Sequence, residues 1–289
     1  MKSRTAEAAL LGVTLIWGTS FTIVKSALMD ASPLLFLGVR FSLAAIVLFA
    51  IYQNELFSIS RSGFRGGFWA GWWLFLSMAL QTVGLRYTTP SQSAFLTALN
   101  VVLVPLLGSI VYRSVPRFVE GIAAGMAIAG TAFMTWPSGS HTWNRGDLLT
   151  VGCAVAFAAH ILTMGYWAPR TSAIPLSLVQ TAVAAVISLA AAPVLENLYW
   201  RPSARLFGAL AVTSLLCTAL AYTVQAWAQQ YTSATRAALI FSAEPVSASA
   251  TAWLVTGETL TPAAWMGAAL ILAAVLVVES KPSAAVLHP

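Results

Sequence analysis

The sequence predicts an all-α integral membrane protein of ten transmembrane helices, arranged as an inverted repeat of five and five around a central cavity. Hydrophobic blocks of about twenty residues recur along the whole chain, and a helix of that length crosses a hydrocarbon core about 30 Å thick. Charged residues make up only 8% of the chain, against about 25% in a soluble domain. The two halves also share a pattern of polar breaks, described below.

Polar or helix-breaking residues bound each predicted helix. Pro33, Pro90, Pro175 and Pro262 stand at or beside helix starts, where the missing N–H of proline has no intrahelical partner to lose. The predicted helices are 6–25, 33–52, 66–86, 91–112, 117–136, 147–167, 175–195, 205–229, 234–256 and 261–279. Little chain remains outside them, so we expect the protein to act within the lipid bilayer on a small molecule.

The positive charges set the expected orientation. The net charge is +6, but there is no basic stripe that would suit a nucleic acid. Most cations lie at block ends, and placing the N-terminus inside puts nine of them on the inner side against five outside. The positive-inside rule then predicts a bacterial inner (plasma) membrane protein with both termini in the cytoplasm. The first block has no signal-peptide cleavage site after it, so we interpret it as an uncleaved helix.

The chain also contains two copies of one pattern, which predicts two halves at 1–140 and 141–289. Tyr87-Thr88 matches Tyr231-Thr232, and Arg40 lies opposite Gln180 in the alignment of the halves. Because five is odd, the second copy enters the membrane upside down relative to the first. Secondary transporters are commonly built this way, with a substrate site near the midplane between the halves.

Several motifs resemble the drug/metabolite transporter superfamily, in its EamA group. They are Trp17-Gly-Thr-Ser-Phe21, Pro33-Leu-Leu-Phe-Leu-Gly-Val-Arg40, Leu85-Arg-Tyr-Thr88, Glu244-Pro245 and Gly257-Glu258-Thr-Leu-Thr261. Within that group the chain is most similar to the YddG-type exporters of aromatic amino acids. The resemblance implies ten helices, a central cavity and export of small metabolites such as amino acids. One departure is Tyr112-Arg113-Ser114, where the family's usual Gly-Glu follows the fourth helix, and we expect a changed loop there.

Polar residues deep in the predicted helices are the candidates for substrate binding, because a polar group in the bilayer core needs a partner or a role. Glu244 precedes Pro245 and could hold a substrate ammonium or a proton, or be a carboxyl that only fixes helix packing. Asn100 occupies the matching position in the first half. His160 could switch charge near neutral pH, although a hydrogen-bonded packing histidine is the ordinary alternative.

Neutral and aromatic residues complete the candidate set. Trp17 lies deep beside Gly18, and we expect a helix break there and an apolar wall for a substrate side chain, which Trp227 could join. The remaining candidates are wall or polar contacts that could equally serve as interhelical packing: Ser20, Gln81, Phe95, Tyr222 and Gln225.

Small-residue faces predict close helix contacts at Gly67-x-x-x-Gly71, Gly121-x-x-x-Gly125 and Ala263-x-x-x-Gly267. We expect them to serve packing inside the monomer. The fifth and tenth helices could alternatively form a homodimer contact, for which the sequence offers no further support.

A secondary transporter is favoured over two alternatives. An intramembrane enzyme would need catalytic residues that the sequence does not offer. Both aspartates lie near helix ends, and no metalloprotease or serine-nucleophile motif is present. A channel-like facilitator would need a filter loop or a ring of like charges, and no filter loop is visible. Cys153 and Cys217 lie in apolar blocks, so we expect no disulfide, no metal and no cofactor.

Overall fold

The computed structural model describes residues 2–56, 59–112, 118–135, 143–256 and 261–279. Within these ranges the chain forms thirteen α-helices, and its only strand-like pairing is an isolated bridge between Ala31 and Trp200. The helices are α1 (Lys2–Ala27), α2 (Pro33–Leu56), α3 (Arg61–Gly84), α4 (Pro90–Ala98), α5 (Asn100–Tyr112), α6 (Phe118–Thr135), α7 (Arg145–Trp167), α8 (Ala173–Leu195), α9 (Ala204–Ser214), α10 (Ala221–Ala228), α11 (Ala234–Phe241), α12 (Glu244–Thr256) and α13 (Pro262–Glu279). A 3₁₀ turn at Ala168–Arg170 extends α7.

Six helical segments of the described chain are long and apolar enough to cross a membrane. They are Lys2–Ala27, Pro33–Glu55, Pro90–Val111, Arg145–Arg170, Ala173–Leu195 and Ala204–Ala228, and shorter apolar helices lie at Phe118–Met134 and Pro262–Val277. The predicted helices at 66–86 and 234–256 are helical but are not among these segments. The all-α prediction is therefore confirmed for the described residues.

Three of the blocks predicted as single helices are interrupted. The 91–112 block divides between α4 and α5 at Leu99, and the 234–256 block divides between α11 and α12 at Ser242 and Ala243. In the 205–229 block the hydrogen-bond pattern widens into a π-helical segment, Leu215–Leu220, between α9 and α10. Hydropathy reports the length of an apolar block but not these local changes of backbone geometry.

The helix starts follow the polar breaks of the sequence. Thr89 caps α4 by accepting a hydrogen bond from the backbone N–H of Gln92, and Ser233 caps α11 by accepting one from Arg236. Both caps follow the repeated Tyr-Thr pair, so the same local signal begins a helix in each half. Asn144 begins α7 in a reciprocal capping box with Asp147.

The most extensive helix contacts join helices before residue 136 to helices after residue 144. Helix α3 packs on α7 and α8, α2 on α8, and α6 on α13. Gly67 and Gly71 let α3 approach α8 closely, since a Cβ at Gly71 would lie 2.6 Å from the carbonyl oxygen of Gln180. At the crossing of α6 and α13, a Cβ at Gly130 would lie 2.6 Å from the carbonyl oxygen of Gly267. These glycines serve packing within the monomer.

The pair Gly121 and Gly125 differs from that expectation. A Cβ at either position would meet nothing within 4 Å, so this face of α6 does not pack within the monomer as predicted. The cause is the register of α6, in which Gly130, nine residues after Gly121, takes the contact with α13. The alternative of a homodimer contact stays a prediction.

One loop contact joins the end of α1 to the start of α9. The carboxylate of Asp30 accepts hydrogen bonds from the Arg205 guanidinium at 2.8 and 2.9 Å and also from the Ser203 hydroxyl. These bonds, first that of Arg205, lower the pKa of Asp30 from its usual value. Nearby, the Glu196 carboxylate accepts from the backbone N–H groups of Leu34 and Leu35 at the start of α2. Polar contacts therefore tie residues 30–35 to residues 196–205 on this face of the protein.

Candidate functional site

The two interrupted helices place Asn100 and Glu244 at equivalent points. Asn100 is the first residue of α5 and Glu244 the first of α12, each directly after the break. Pro245 occupies the second position of α12, where its missing N–H is tolerated. The break at Ser242 and Ala243 lies directly before Glu244-Pro245.

Trp17 is the centre of a buried aromatic cluster. Its ring centroid lies 5.9 Å from that of Phe157, 5.2 Å from Tyr222 and 5.2 Å from Phe241. Its indole N–H donates to the backbone carbonyl of Cys217 at 2.9 Å. Because Cys217 lies in the π-helical segment, the cluster brings together α1, α7, α10, α11 and that segment. Trp17 is buried inside the helix bundle, at 5% exposure, and its role toward a substrate stays a prediction.

His160 lies at the edge of the same cluster. Its ring stacks on Phe157 at 5.8 Å, with 6° between the planes, and meets Tyr222 edge-on at 5.8 Å. Its Nε2 is 2.9 Å from Oε1 of Gln180, so α7 and α8 are joined by a buried polar pair. Within the described residues, Nδ1 of His160 and Nε2 of Gln180 have no hydrogen-bond partner.

Other buried polar atoms share this unpaired state. In the described part of the chain they include both amide atoms of Asn100, Oε1 of Gln225 and Oε2 of Glu244. Gln225 uses its amide nitrogen to donate to Gln229 at 2.9 Å, which leaves its oxygen unpaired. Unpaired buried polar groups cost free energy, about 1–3 kcal/mol each, so a cluster of them needs an explanation. A polar ligand or water would satisfy them.

The remaining candidates have local partners or lie further out. The Ser20 hydroxyl donates to the backbone carbonyl of Trp17, and the Gln81 amide donates to Thr97 Oγ1 at 3.1 Å. Phe95 is half-buried on α4. Trp227 pairs with Tyr231 at 5.7 Å, on a part of α10 that faces a lateral groove. The structure therefore groups Trp17, Tyr222 and His160 most tightly, with Gln225 one turn along α10 from Tyr222.

No helix break occurs at Gly18, contrary to the sequence prediction. Helix α1 continues through it, and Gly18 instead allows a close helix crossing. A Cβ there would lie 2.5 Å from Cβ of Ser247 and 2.8 Å from the carbonyl oxygen of Glu244. Ser247 also donates to the backbone carbonyl of Leu15 at 2.7 Å. The glycine therefore fixes α1 against the first turn of α12.

We expect Gly18→Ala to destabilise the protein by about 1–3 kcal/mol, because the added methyl overpacks this crossing. Gly12→Ala is the matched control on the same helix. A Cβ at Gly12 meets nothing within 4 Å, so the better helix propensity of alanine should leave stability unchanged or raise it by up to about 1 kcal/mol. Thermal unfolding of the two purified variants tests this, and equal melting temperatures would contradict the close crossing.

Sequence reasoning missed three features of this region. The first is Gln180, which was aligned with Arg40 between the halves but was not chosen as a site residue, although that alignment was the available signal. Its counterpart Arg40 is buried and donates from Nε to Thr218 Oγ1 in the π-helical segment at 2.8 Å. The second is the pair of aromatic partners of Trp17, Phe157 and Phe241, which were indistinguishable in sequence from ordinary apolar positions.

The third missed feature is a buried ion pair. Arg236, counted as an inner-face cation, instead donates to the Glu7 carboxylate at 2.8 Å, and their side chains are 4% and 3% exposed. Thr232 and Ser3 donate to the same Glu7 oxygen. The pair ties the start of α1 to the start of α11. Neither charge could be placed from hydropathy, because both lie near block ends.

The side chains of the site can bind a ligand through aromatic and neutral polar contacts. His160 and Gln180, on α7 and α8, lie at the edge of the aromatic cluster, and Gln225 lies one turn along α10 from Tyr222. Asn100 and Glu244 begin α5 and α12. Among the described residues no group of three or more His, Cys, Asp or Glu side chains is placed to hold a metal ion. Such an arrangement can recognise a small molecule that carries both polar and apolar parts.

Comparison with known proteins gives a consistent result. The model of the EamA-like transporter family matches the chain twice, at residues 4–136 and 144–280. An uncharacterized transporter of Archaeoglobus fulgidus is 34% identical over 96% of this chain and 86% of its own length. The uncharacterized transporter YwfM of Bacillus subtilis is 24% identical over 98% and 96%. All of these names describe transporters.

A solved crystal structure has a similar fold. It superposes with a TM-score of 0.80 and covers 95% of this chain and 96% of its own, at 17% sequence identity. At that identity the likeness concerns the fold alone.

Proposed function

The chain belongs to the EamA-like transporter family of integral membrane proteins, and from this premise we propose that it exports small amino-acid-like zwitterions with apolar, above all aromatic, side chains. The observation that carries the proposal is the presence of unpaired buried polar atoms on His160 and Gln180 at the edge of the Trp17 cluster. The aromatic rings suit an apolar side chain, and the amide and imidazole groups suit the charged ends of a zwitterion. The narrower likeness to YddG-type aromatic exporters is part of this proposal.

The proposed architecture is an inverted repeat of five and five transmembrane helices, with halves at 1–140 and 141–289. The double match of the family model supports it, as do the equivalent breaks before Asn100 and Glu244. The contacts between helices are also symmetric. Helix α2 packs on α8, and these are the second predicted membrane helices of the two halves. Helix α6 packs on α13, and these are the fifth. The boundary at 140/141 itself lies outside the described residues.

The proposed mechanism is alternating access, in which the halves rock about the site and expose it to one face at a time. The breaks before α5 and α12 supply the flexible points, and the contact of Gly18 with α12 transmits the motion of α1. A crosslink that closes one mouth should then stop flux while substrate still binds from the other side. Continued flux through the crosslinked protein would point to the channel-like alternative.

We also propose that the protein lies in the bacterial inner membrane with both termini in the cytoplasm, which the positive-inside count supports. A cysteine placed at Ser62 should react with a membrane-impermeant maleimide only from the cytoplasmic side. A cysteine at the exposed Asn197, in the loop after α8, should react only from outside. Cys153 and Cys217 are buried, so the background is low. The reverse pattern would reject the orientation. Ser140, an alternative outer probe, lies outside the described residues.

Transport by the purified protein in proteoliposomes tests the substrate. We expect uptake of labelled phenylalanine or tryptophan that unlabelled aromatic amino acids compete away, measured with and without an imposed pH gradient. Stimulation by the gradient that Glu244→Gln abolishes would assign proton coupling to Glu244, whereas unchanged flux would indicate facilitated diffusion or exchange. A protein that moves only polyamines or sugars would contradict the substrate class.

A further inference from the structure

Two buried carboxylates occupy equivalent positions in the two halves of the chain. The alignment of the halves given above sets Glu7 opposite Asp147, and these residues are 2% and 0% exposed. Each carboxylate accepts a hydrogen bond from the threonine of the repeated Tyr-Thr pair. Thr232 donates to Glu7 at 3.2 Å, and Thr88 donates to Asp147 at 2.8 Å. The same contact therefore occurs twice, once between α1 and the start of α11 and once between α7 and the start of α4.

These two contacts lie at opposite ends of the helix bundle. Helix α1 begins near Glu7, and at its other end Lys25 donates to the backbone carbonyl of Thr88 at 2.7 Å. The hydroxyl of the same Thr88 bonds to Asp147, so α1 runs from one contact to the other. From Glu7 to Lys25 a helix rises about 27 Å, close to the roughly 30 Å thickness of a hydrocarbon core. We call the Glu7 end, where the chain begins, the inner end.

The aromatic cluster lies midway between the two ends. The alignment of the halves also sets Trp17 opposite Phe157, and these equivalent rings meet edge-on with their centroids 5.9 Å apart. Each ring follows the carboxylate of its own helix by ten residues, which is about 15 Å of helix. Both aromatic side chains are buried. A molecule bound at the cluster would therefore be separated from each face of the membrane by one of the two contacts.

We propose that these two contacts are the gates of the transport path, which open in turn. The inner gate consists of Glu7 with Thr232 and Arg236, whose guanidinium donates to Glu7 at 2.8 Å. The outer gate consists of Asp147 with Thr88. Both gates are closed in this structure, because both sets of hydrogen bonds are formed. Their role in transport rests on the alternating access proposed above, whereas the link between each contact and access from one side of the membrane does not.

The surroundings of the gates suit contacts that separate and form again. Helix α1 packs less extensively on α11 than on α12, and α7 packs less extensively on α4 than on α3. Packing therefore opposes separation less at the gates than elsewhere along α1 and α7. A carboxylate that leaves its buried partner regains hydration, so the net cost of breaking such a bond is far below its strength in an apolar medium. Each gate can therefore exchange its protein contacts for water without unfolding a helix.

Equivalent reporter thiols can be placed behind the two gates. Cys153 is buried on α7, six residues after Asp147, and it faces α4, because its Sγ lies 4.0 Å from Thr97 Oγ1. With Cys217→Ala it is the only thiol of the chain. The alignment of the halves sets Val13, which is buried on α1, opposite Cys153. Val13→Cys with both native cysteines replaced by alanine is therefore the matching reporter for the inner gate.

Each gate is weakened in the full-length protein in vesicles, and the reaction rate of its reporter with a membrane-impermeant maleimide is measured from each side. Thr88→Val should raise the labelling of Cys153 from the outer side about two- to tenfold, because the closed state loses one hydrogen bond. Thr232→Val should raise the labelling of the Val13→Cys reporter from the inner side by a smaller factor, because the ion pair remains. Arg236→Gln should raise it at least about tenfold, because the closed gate then buries a carboxylate without its guanidinium.

Thr89→Val and Ser233→Ala are the matched controls for these variants. Each removes the hydroxyl next to a gate threonine, one that caps α4 or α11, and neither should alter labelling. Thr232→Val still tests the inner gate should Arg236→Gln fail to fold. Unchanged labelling in the folded gate variants, or labelling of both reporters from the same side, would overturn the proposal. Labelling needs no substrate, so if no aromatic amino acid is transported, the function proposed above fails while the labelling still decides the gates.

Discussion

Replacing Glu7 with alanine should destabilise the protein by about 3–5 kcal/mol, because it leaves the Arg236 guanidinium buried without its carboxylate partner. Both side chains are almost fully enclosed, so water cannot take the place of the lost carboxylate. The free energy of unfolding is measurable by titration with denaturing detergent while helix content is followed. A companion loss of transport is expected, because α1 carries Trp17 into the aromatic cluster.

Two further variants separate the ion pair from general disruption. Glu7→Leu combined with Arg236→Met removes both charges and should be more stable than either single variant, since no uncompensated charge remains. Ser3→Ala removes only one hydrogen bond to Glu7 and should cost about 0.5–1.5 kcal/mol. A loss below about 1 kcal/mol for Glu7→Ala would show that the contact is not a buried ion pair in the membrane.

Trp17→Ala should reduce transport of aromatic amino acids at least about tenfold per folded molecule, equivalent to about 1.4 kcal/mol of lost interaction. It should also destabilise the protein by about 3–5 kcal/mol, because the indole packs against three other aromatic rings. Transport must therefore be normalised to the amount of folded protein.

The control for Trp17→Ala is Trp253→Ala, at a side chain on α12 that is 54% exposed on the outer surface of the bundle. It should leave transport and stability nearly unchanged. Trp17→Phe keeps an aromatic ring and removes the N–H that donates to Cys217. If Trp17 lines the substrate path, Trp17→Phe should retain more transport of phenylalanine than Trp17→Ala. Wild-type transport per folded molecule by Trp17→Ala would show that the cavity wall lies elsewhere.

Hydropathy and breaker residues predicted most of the helical fold, because membrane helices are defined by long apolar runs and short polar ends. They did not predict the break at Ser242–Ala243, although the polar Glu244 and then Pro245 follow it directly, and they missed the break at Leu99 because it lies inside a long apolar block. The π-helical segment was invisible for the same reason. It depends on how Thr218 and Cys217 bond to α1, α2 and their own helix, which is tertiary information.

The sequence singled out the buried polar residues of the candidate site but not the aromatic residues that pack around Trp17. The cost of burying polar groups singled out His160, Asn100, Gln225 and Glu244, and the structure leaves atoms of all four unpaired. The same reasoning failed for Glu7 and Arg236. Residues near block ends look solvated in a sequence, and only the folded chain brings these two together.

The separation of that ion pair along the chain has a consequence for how the protein is made. Glu7 and Arg236 are 229 residues apart, and synthesis at roughly 5–20 residues per second takes on the order of 10 to 50 s to cover that distance. During this time the nascent first half holds a carboxylate whose partner does not yet exist, and α3 and α2 lack the α7 and α8 surfaces on which they pack. The helices of the first half are therefore made before the surfaces on which they pack. Until Arg236 is synthesised, the Glu7 carboxylate must stay near the membrane surface or within the insertion machinery, and it becomes buried only when the second half folds against α1.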